Sequence, residues 1–202
     1  MPLGFRARRP LRLFLHGQDP FRKSRTVALL SSKRPLARLM FMKRAIFAAL
    51  LLLPSMAVQA ETPEEWITLG ARVHGAFGAF IPLGIKIGLN AVKRLDARPR
   101  ELVVTYYDSN SSPCACFADG IAIATYASVG QRTLTIAPEK APDGTLAVVI
   151  IRPRKGGPGL KYTIPASDLA KLGPMNKNLD PRGRWDAVMK EDELFTVEDA
   201  PQ

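Results

Sequence analysis

Charge in this chain is divided at Glu61, and that division fixes how much of it can form a folded domain. Of 29 Lys and Arg residues, 12 lie in residues 1–60, alongside a single acid, Asp19. From Glu61 onward, 17 basic residues face 17 acidic ones, so the net charge of +11 belongs to the leading segment. The foldable part is neutral and about 142 residues long, one ordinary domain with enough chain to bury a core. A basic whole-chain balance would suggest nucleic acid. Its confinement to the leader argues against that partner.

The leader has the parts of a secretory signal. Met42-Lys43-Arg44 supplies cations, and Ala45 to Leu53 is an unbroken apolar run, too short to span a bilayer. Pro54 breaks the run, and Val58-Gln59-Ala60 offers small residues for cleavage before Glu61. Residues 42–60 are therefore read as a signal peptide, and 1–41 as an upstream basic leader with translation starting at Met42. The expected location is periplasmic or secreted, with no membrane association after cleavage. The domain is placed at 61–196, and 197–202 is read as the end of a frayed acidic tail beginning near Thr196.

Within the domain, Thr62-Pro63-Glu64-Glu65 is a helix start with cap, proline and capping-box glutamate in order. Trp66, Leu69, Val73, Phe77 and Phe80 continue as one apolar stripe at helical spacing. Pro82 starts or kinks a second helix, with Ile85, Leu89, Val92 and Leu95 on its buried side. Gly84 and Gly88 leave a groove on that helix for another backbone, which makes a homodimer one expectation. Leu102 to Tyr107 and Leu146 to Arg152 read as strands, as do Thr133 to Ala137 and Tyr162 to Ile164. Phe117 to Ser128 reads as a helix of small residues. Short helices near Ser167–Leu172 and Trp185–Leu194 follow. The order predicts an α+β fold: two N-terminal helices and a mixed, mostly antiparallel sheet with helices packed on one face.

Few residues can carry chemistry. The domain has one histidine, His74, and two cysteines, Cys114 and Cys116. A lone histidine beside an apolar stripe is ordinarily structural. The Cys114-x-Cys116 pair admits three readings: a strained, labile disulfide, two thiolates chelating a soft ion such as zinc or copper with His74 as third ligand, or simple burial of one thiol. The basic stretch Arg152 to Lys155 reads as a solvated hairpin tip, and Trp66, Phe77 and Phe80 as core.

Three segments carry a family resemblance. His74-Gly75-Ala76-Phe77-Gly78-Ala79-Phe80-Ile81-Pro82-Leu83-Gly84 is followed by Cys116-Phe117-Ala118-Asp119-Gly120-Ile121 and by Thr125 to Gly130. The chain resembles the FmdE family, which takes its name from one component of formylmethanofuran dehydrogenase. Its pattern is roughly H-G-H-x-C/G-P-x-x-x-x-G, then C-x-x-D-G/A-I-Q-x-x-T-G-C/A-T-x-G-K-x-N. Glu193-Leu194-Phe195 also matches the family's closing segment. The resemblance implies a FwdE-like α+β domain with a metal site, often zinc, where His74 meets Cys116 and Asp119 caps the helix or orients a ligand. This sequence departs from the pattern at Ala76, Gly78, Ala79, Ala122, Tyr126, Ala127 and Gln131. Cys114 partly compensates for the missing side chains, giving His74, Cys114 and Cys116 as ligands with one open position. The expected function is binding of a soft transition metal or small ligand. The alternatives are an enzyme acting on a small one-carbon or carbonyl substrate, through His74 or a metal, and a Cys-x-Cys thiol-redox protein.

Overall fold

The computed structural model describes residues 61–201; the signal peptide and the basic leader fall outside the described residues. Five helices and a five-stranded sheet make up the domain. Helix α1 is Pro63–His74, α2 is Phe80–Arg94 and α3 is Cys116–Thr125. A single 3-10 turn, Ala166–Asp168, leads into α4, Leu169–Asn178, and α5 is Pro181–Lys190. The strands are β1 Leu102–Asp108, β2 Leu134–Ile136, β3 Thr145–Pro153, β4 Gly159–Pro165 and β5 Thr196–Ala200. Their order in the sheet is β2-β1-β3-β4-β5, with β1 and β2 parallel and every other pair antiparallel. This is the mostly antiparallel α+β architecture the sequence predicts.

One face of the sheet is buried. Register places Val104 opposite Ile151 and Tyr106 opposite Val149. Tyr162 and Leu160 continue the same rows from β4. All six side chains are buried. Side chains alternate across a strand, so the helices pack on this face alone, each large apolar residue contributing roughly 1.5–3 kcal/mol by its burial. The other face carries Thr105, Tyr107, Lys161 and Thr163 in partial contact with solvent.

Helix α1 starts as expected. Thr62 Oγ1 accepts from the Glu65 amide, and the Thr62 amide donates to Glu65 Oε2 at 2.7 Å. The backbone and hydroxyl of Thr62 hold the Glu65 carboxyl below its ordinary range. The apolar stripe, however, does not stay on one helix. Gly75 takes a left-handed conformation (φ 89°) and ends α1, so Phe77 lies in the turn, its ring against Gly70. A side chain at Gly70 would meet that ring at 2.7 Å. Val73, expected in the stripe, is half exposed.

Helix α2 is central rather than one-sided. Ile81, Leu83, Ile85 and Ile87 are all fully buried, whereas Leu89, expected inside, is exposed. The groove at Gly84 and Gly88 is filled by α3 of the same chain. A Cβ on Gly84 would strike the Phe117 carbonyl and come within 2.9 Å of Gly120 Cα; one on Gly120 would strike the Ile81 carbonyl. The groove therefore gives no support to a homodimer.

Two further differences concern the C-terminal third. Thr196–Ala200 is strand β5 instead of a frayed tail: it pairs with β4 from Gly159–Ala200 to Thr163–Thr196, and Lys161 bridges Glu198 at 2.7 Å. Helix α5 begins four residues before Trp185, because Asp180 caps it and Pro181 follows the cap. Trp185 stacks on Trp66 at 6.4 Å between centroids, tying α5 to α1.

Asp168, where the 3-10 turn enters α4, is buried with Oδ2 lacking any partner among the described residues. Burial pushes its carboxyl pKa up; Lys171 opposes this, and Glu191 and Glu193 add to it. A raised pKa means the folded state holds this proton more tightly than the unfolded chain. Asp168 therefore weakens the fold as pH rises through that window, and its cost is fully present at neutral pH. Asp168→Asn is expected to stabilise the protein at neutral pH by about 1 kcal/mol at most. Urea midpoints at neutral and mildly acidic pH check this: the difference from wild type shrinks on acidification.

Among the described residues, no helix is long and apolar enough to cross a membrane.

Candidate functional site

The three residue types singled out from the sequence converge at the N-terminus of α3. His74 is the last residue of α1, delivered there because Gly75 stops the helix. Its Nδ1 lies 2.7 Å from Asp119 Oδ2. Asp119 stands three residues after Cys116, so both lie on one face of α3. His74 and Asp119 are partly exposed, at 28% and 40% of their side-chain surface, so the pair is reachable from solvent.

With Asp119 as a carboxylate, Nδ1 is the protonated ring nitrogen and donates to it. That assignment follows from the partner. It leaves Nε2 with a free lone pair, the arrangement a carboxylate imposes on a metal-ligating or acid-base histidine.

Cys114 and Cys116 are joined in a disulfide, with their Cα atoms 5.3 Å apart. Cys116 is buried at 6% exposure, while Cys114 sits in the loop with part of its surface open. Ser112 Oγ donates to the Cys114 carbonyl at 2.7 Å and pins that loop. Ala115, at the N-cap of α3, has no side chain to cap the first turn.

The expected ligand set is therefore not assembled in the disulfide-bonded form. Each sulfur is spent on the other, and no group of three His, Cys, Asp or Glu among the described residues gathers around one point. His74 and Asp119 remain as the pair of donors held together there. The donor set suits zinc or copper only when the bridge is open and two thiols join the imidazole.

Two features beside the pair are not visible in the sequence pattern. A shallow groove of about 320 Å³ runs between α1 and α3, lined by Leu69, Val73, Ala122, Ile123, Tyr126 and Ala127. Val73 adjoins His74 in the chain, and Ile123 is one helical turn beyond Asp119. At the far end, Tyr126 stands in a left-handed conformation (φ 55°) where the family pattern has glycine. Its hydroxyl donates to Glu61 at 3.1 Å, which is the main cause of its raised pKa, and Arg100 lies over its ring at 5.5 Å. The exposure of Val73 follows from where α1 stops, which apolar spacing does not encode.

Comparison with known proteins gives one family and a distant structural likeness. A family model described as "FmdE, Molybdenum formylmethanofuran dehydrogenase operon" matches residues 73–193. A crystal structure of an FmdE-like protein of the tungsten formylmethanofuran dehydrogenase type, from Syntrophus aciditrophicus, aligns with a TM-score of 0.45 and 13% identity, covering 74% of this chain and 78% of that one. No curated protein matches the chain.

Proposed function

This chain belongs to the FmdE family, and we propose that its domain is an exported, periplasmic or secreted protein that binds a soft transition metal, zinc or copper, through His74, Cys114 and Cys116 in their reduced state. The observation that carries this reading is the 2.7 Å contact between His74 Nδ1 and Asp119 Oδ2. It leaves Nε2 free beside the end of α3 that carries Cys116. Asp119 acts through the imidazole, holding its ring and tautomer, rather than as a ligand itself.

Three protein donors leave one coordination position open, the count of an exchangeable or catalytic ion rather than a structural one. The chemistry a bound ion supplies there is Lewis acidity. The charge division at Glu61 and the apolar run at 45–53 support export. An exported chain does not meet a cytoplasmic dehydrogenase, so the family's name is not carried over as its activity.

A second reading is supported by the groove. An imidazole held by a carboxylate beside a 320 Å³ apolar trough is suited to proton transfer on a small carbonyl substrate. Turnover lost in His74→Ala under metal-free conditions would favour it.

The metal reading is tested by zinc and copper titration of the reduced protein. His74→Ala and Cys116→Ser are each expected to weaken binding at least about tenfold relative to wild type, and Asp119→Asn by roughly 10–100-fold through the loosened imidazole. Equal binding by wild type, His74→Ala and Cys116→Ser would remove the site.

A further inference from the structure

We propose that the Cys114–Cys116 disulfide is a redox gate on this site: the closed bridge excludes the metal, and thiol–disulfide exchange opens it. The inference rests on the metal reading above and adds its regulation.

The two states are chemically exclusive. A sulfur in the bridge is bonded to the other sulfur and is no thiolate donor, so the oxidised protein offers the ion only His74 and Asp119. Opening the bridge adds two thiols on the α3 end where the imidazole already waits. Because Asp119 holds that imidazole whether or not the bridge is closed, reduction completes a donor set instead of building one.

The two sulfurs are not equivalent toward an incoming thiol. Cys114 is the open one, in the loop after Pro113, and Cys116 is buried at 6% exposure. A dithiol reductant, small or protein-borne, therefore attacks Cys114 Sγ. The S–S bond breaks, a mixed disulfide forms at Cys114, and Cys116 leaves as thiolate. That thiolate forms at the first residue of α3, where Ala115 leaves the first-turn amides without a side-chain cap and the helix dipole favours negative charge. The reductant's second thiol then displaces Cys114. The net change is two electrons and two protons from the dithiol to the protein, and the dithiol becomes a disulfide. Loading a divalent ion onto the two thiols releases two protons. Reoxidation by a small disulfide restores the bridge, yields two small thiols and expels the ion.

The test uses the full chain and zinc alone as probe. Free thiols are counted before and after treatment with a phosphine reductant, and zinc affinity is measured in both states by competition with a chromophoric chelator. The expected result is two thiols appearing on reduction, one zinc bound at least about tenfold more tightly than by the oxidised form, and release of that zinc when oxidised glutathione removes the thiols. Cys114→Ala, which cannot form the bridge, is expected to bind zinc equally before and after reductant. Equal wild-type affinity in both states, with His74→Ala lowering both, would overturn the gate while leaving the metal site standing. Two free thiols in the air-equilibrated protein would also overturn the gate. Absence of zinc binding in either state would overturn gate and metal site together.

Discussion

Replacing Gly120 with alanine is expected to remove at least about 3 kcal/mol of stability, or to prevent folding outright. One methyl group there would collide with the Ile81 carbonyl, lie 2.9 Å from Gly84 Cα and 2.9 Å from the Ile85 amide nitrogen. All three are backbone atoms of α2, so no rotamer change relieves the clash. The helices must separate, and both are buried on nearly all sides. Interiors this tightly packed transmit a one-carbon excess into every neighbour. Thermal melting checks the effect; a drop of roughly 10 °C or more is expected for a domain of this length. Gly130→Ala is the control. Nothing lies within 4 Å of a Cβ at that position, and it is expected to melt with wild type. A Gly120→Ala protein as stable as wild type would refute the close crossing.

The second large effect is expected at Lys86. Its ammonium group donates to the carbonyls of Val188, Met189 and Glu191 at 3.2, 3.1 and 2.6 Å. These are carbonyls at the C-terminal end of α5, which the helix itself leaves without partners. The cation also lies where the helix dipole favours positive charge. Lys86→Met keeps most of the aliphatic stem and removes the three donors at once. Hydrogen bonds from a charged group contribute about 1.5 kcal/mol or more each, less when they share one ammonium. A loss of about 3 kcal/mol is expected, with α5 loosening first. The near-ultraviolet circular dichroism of the Trp66–Trp185 stack reports that loosening directly, before the global melt. Unchanged dichroism and melting would show that Lys86 does not hold α5.

Local chemistry explains which parts of the fold can be read from sequence. The Thr62–Glu65 capping box, the β-branched run of β1 and the apolar β3 are local signals, and each forms where expected. The spacing of Gly84 and Gly88 reveals that a backbone comes close, but spacing cannot say whose. The partner is Gly120, on the far side of β1 and its loop in sequence. The Asp180-Pro181 start of α5 carries the same cap-then-proline signal as Thr62-Pro63, and it is masked because the apolar residues begin only at Trp185. Strand β5 is acidic and short. Its pairing depends on the edge that β4 presents, with Val197 against the core, and nothing in Thr196–Ala200 alone specifies that.

The site is legible in its members and not in its state. The family pattern names His74, Cys116 and Asp119, and the fold brings His74 onto Asp119. The Cys114-x-Cys116 spacing leaves disulfide, chelate and buried thiol all open, and it is the folded chain that joins the sulfurs. Tyr126 is visible in the sequence as a departure from glycine. Its left-handed backbone and its reach to Glu61 depend on packing between α1 and α3 that composition does not reveal.

The Gly84–Gly120 crossing also decides how far an event at the sulfurs can travel. Cys116 and Asp119 ride on a helix locked backbone to backbone against the centre of the domain, while Cys114 hangs on the Ser109–Pro113 loop. Movement of one sulfur away from the other is taken up by that loop, and the clamped scaffold beneath stays still. Such a domain makes a poor lever: it has no second arrangement of its interior to relay a message to a distant surface. Anything that senses the state of this protein has to touch the few residues around His74 themselves.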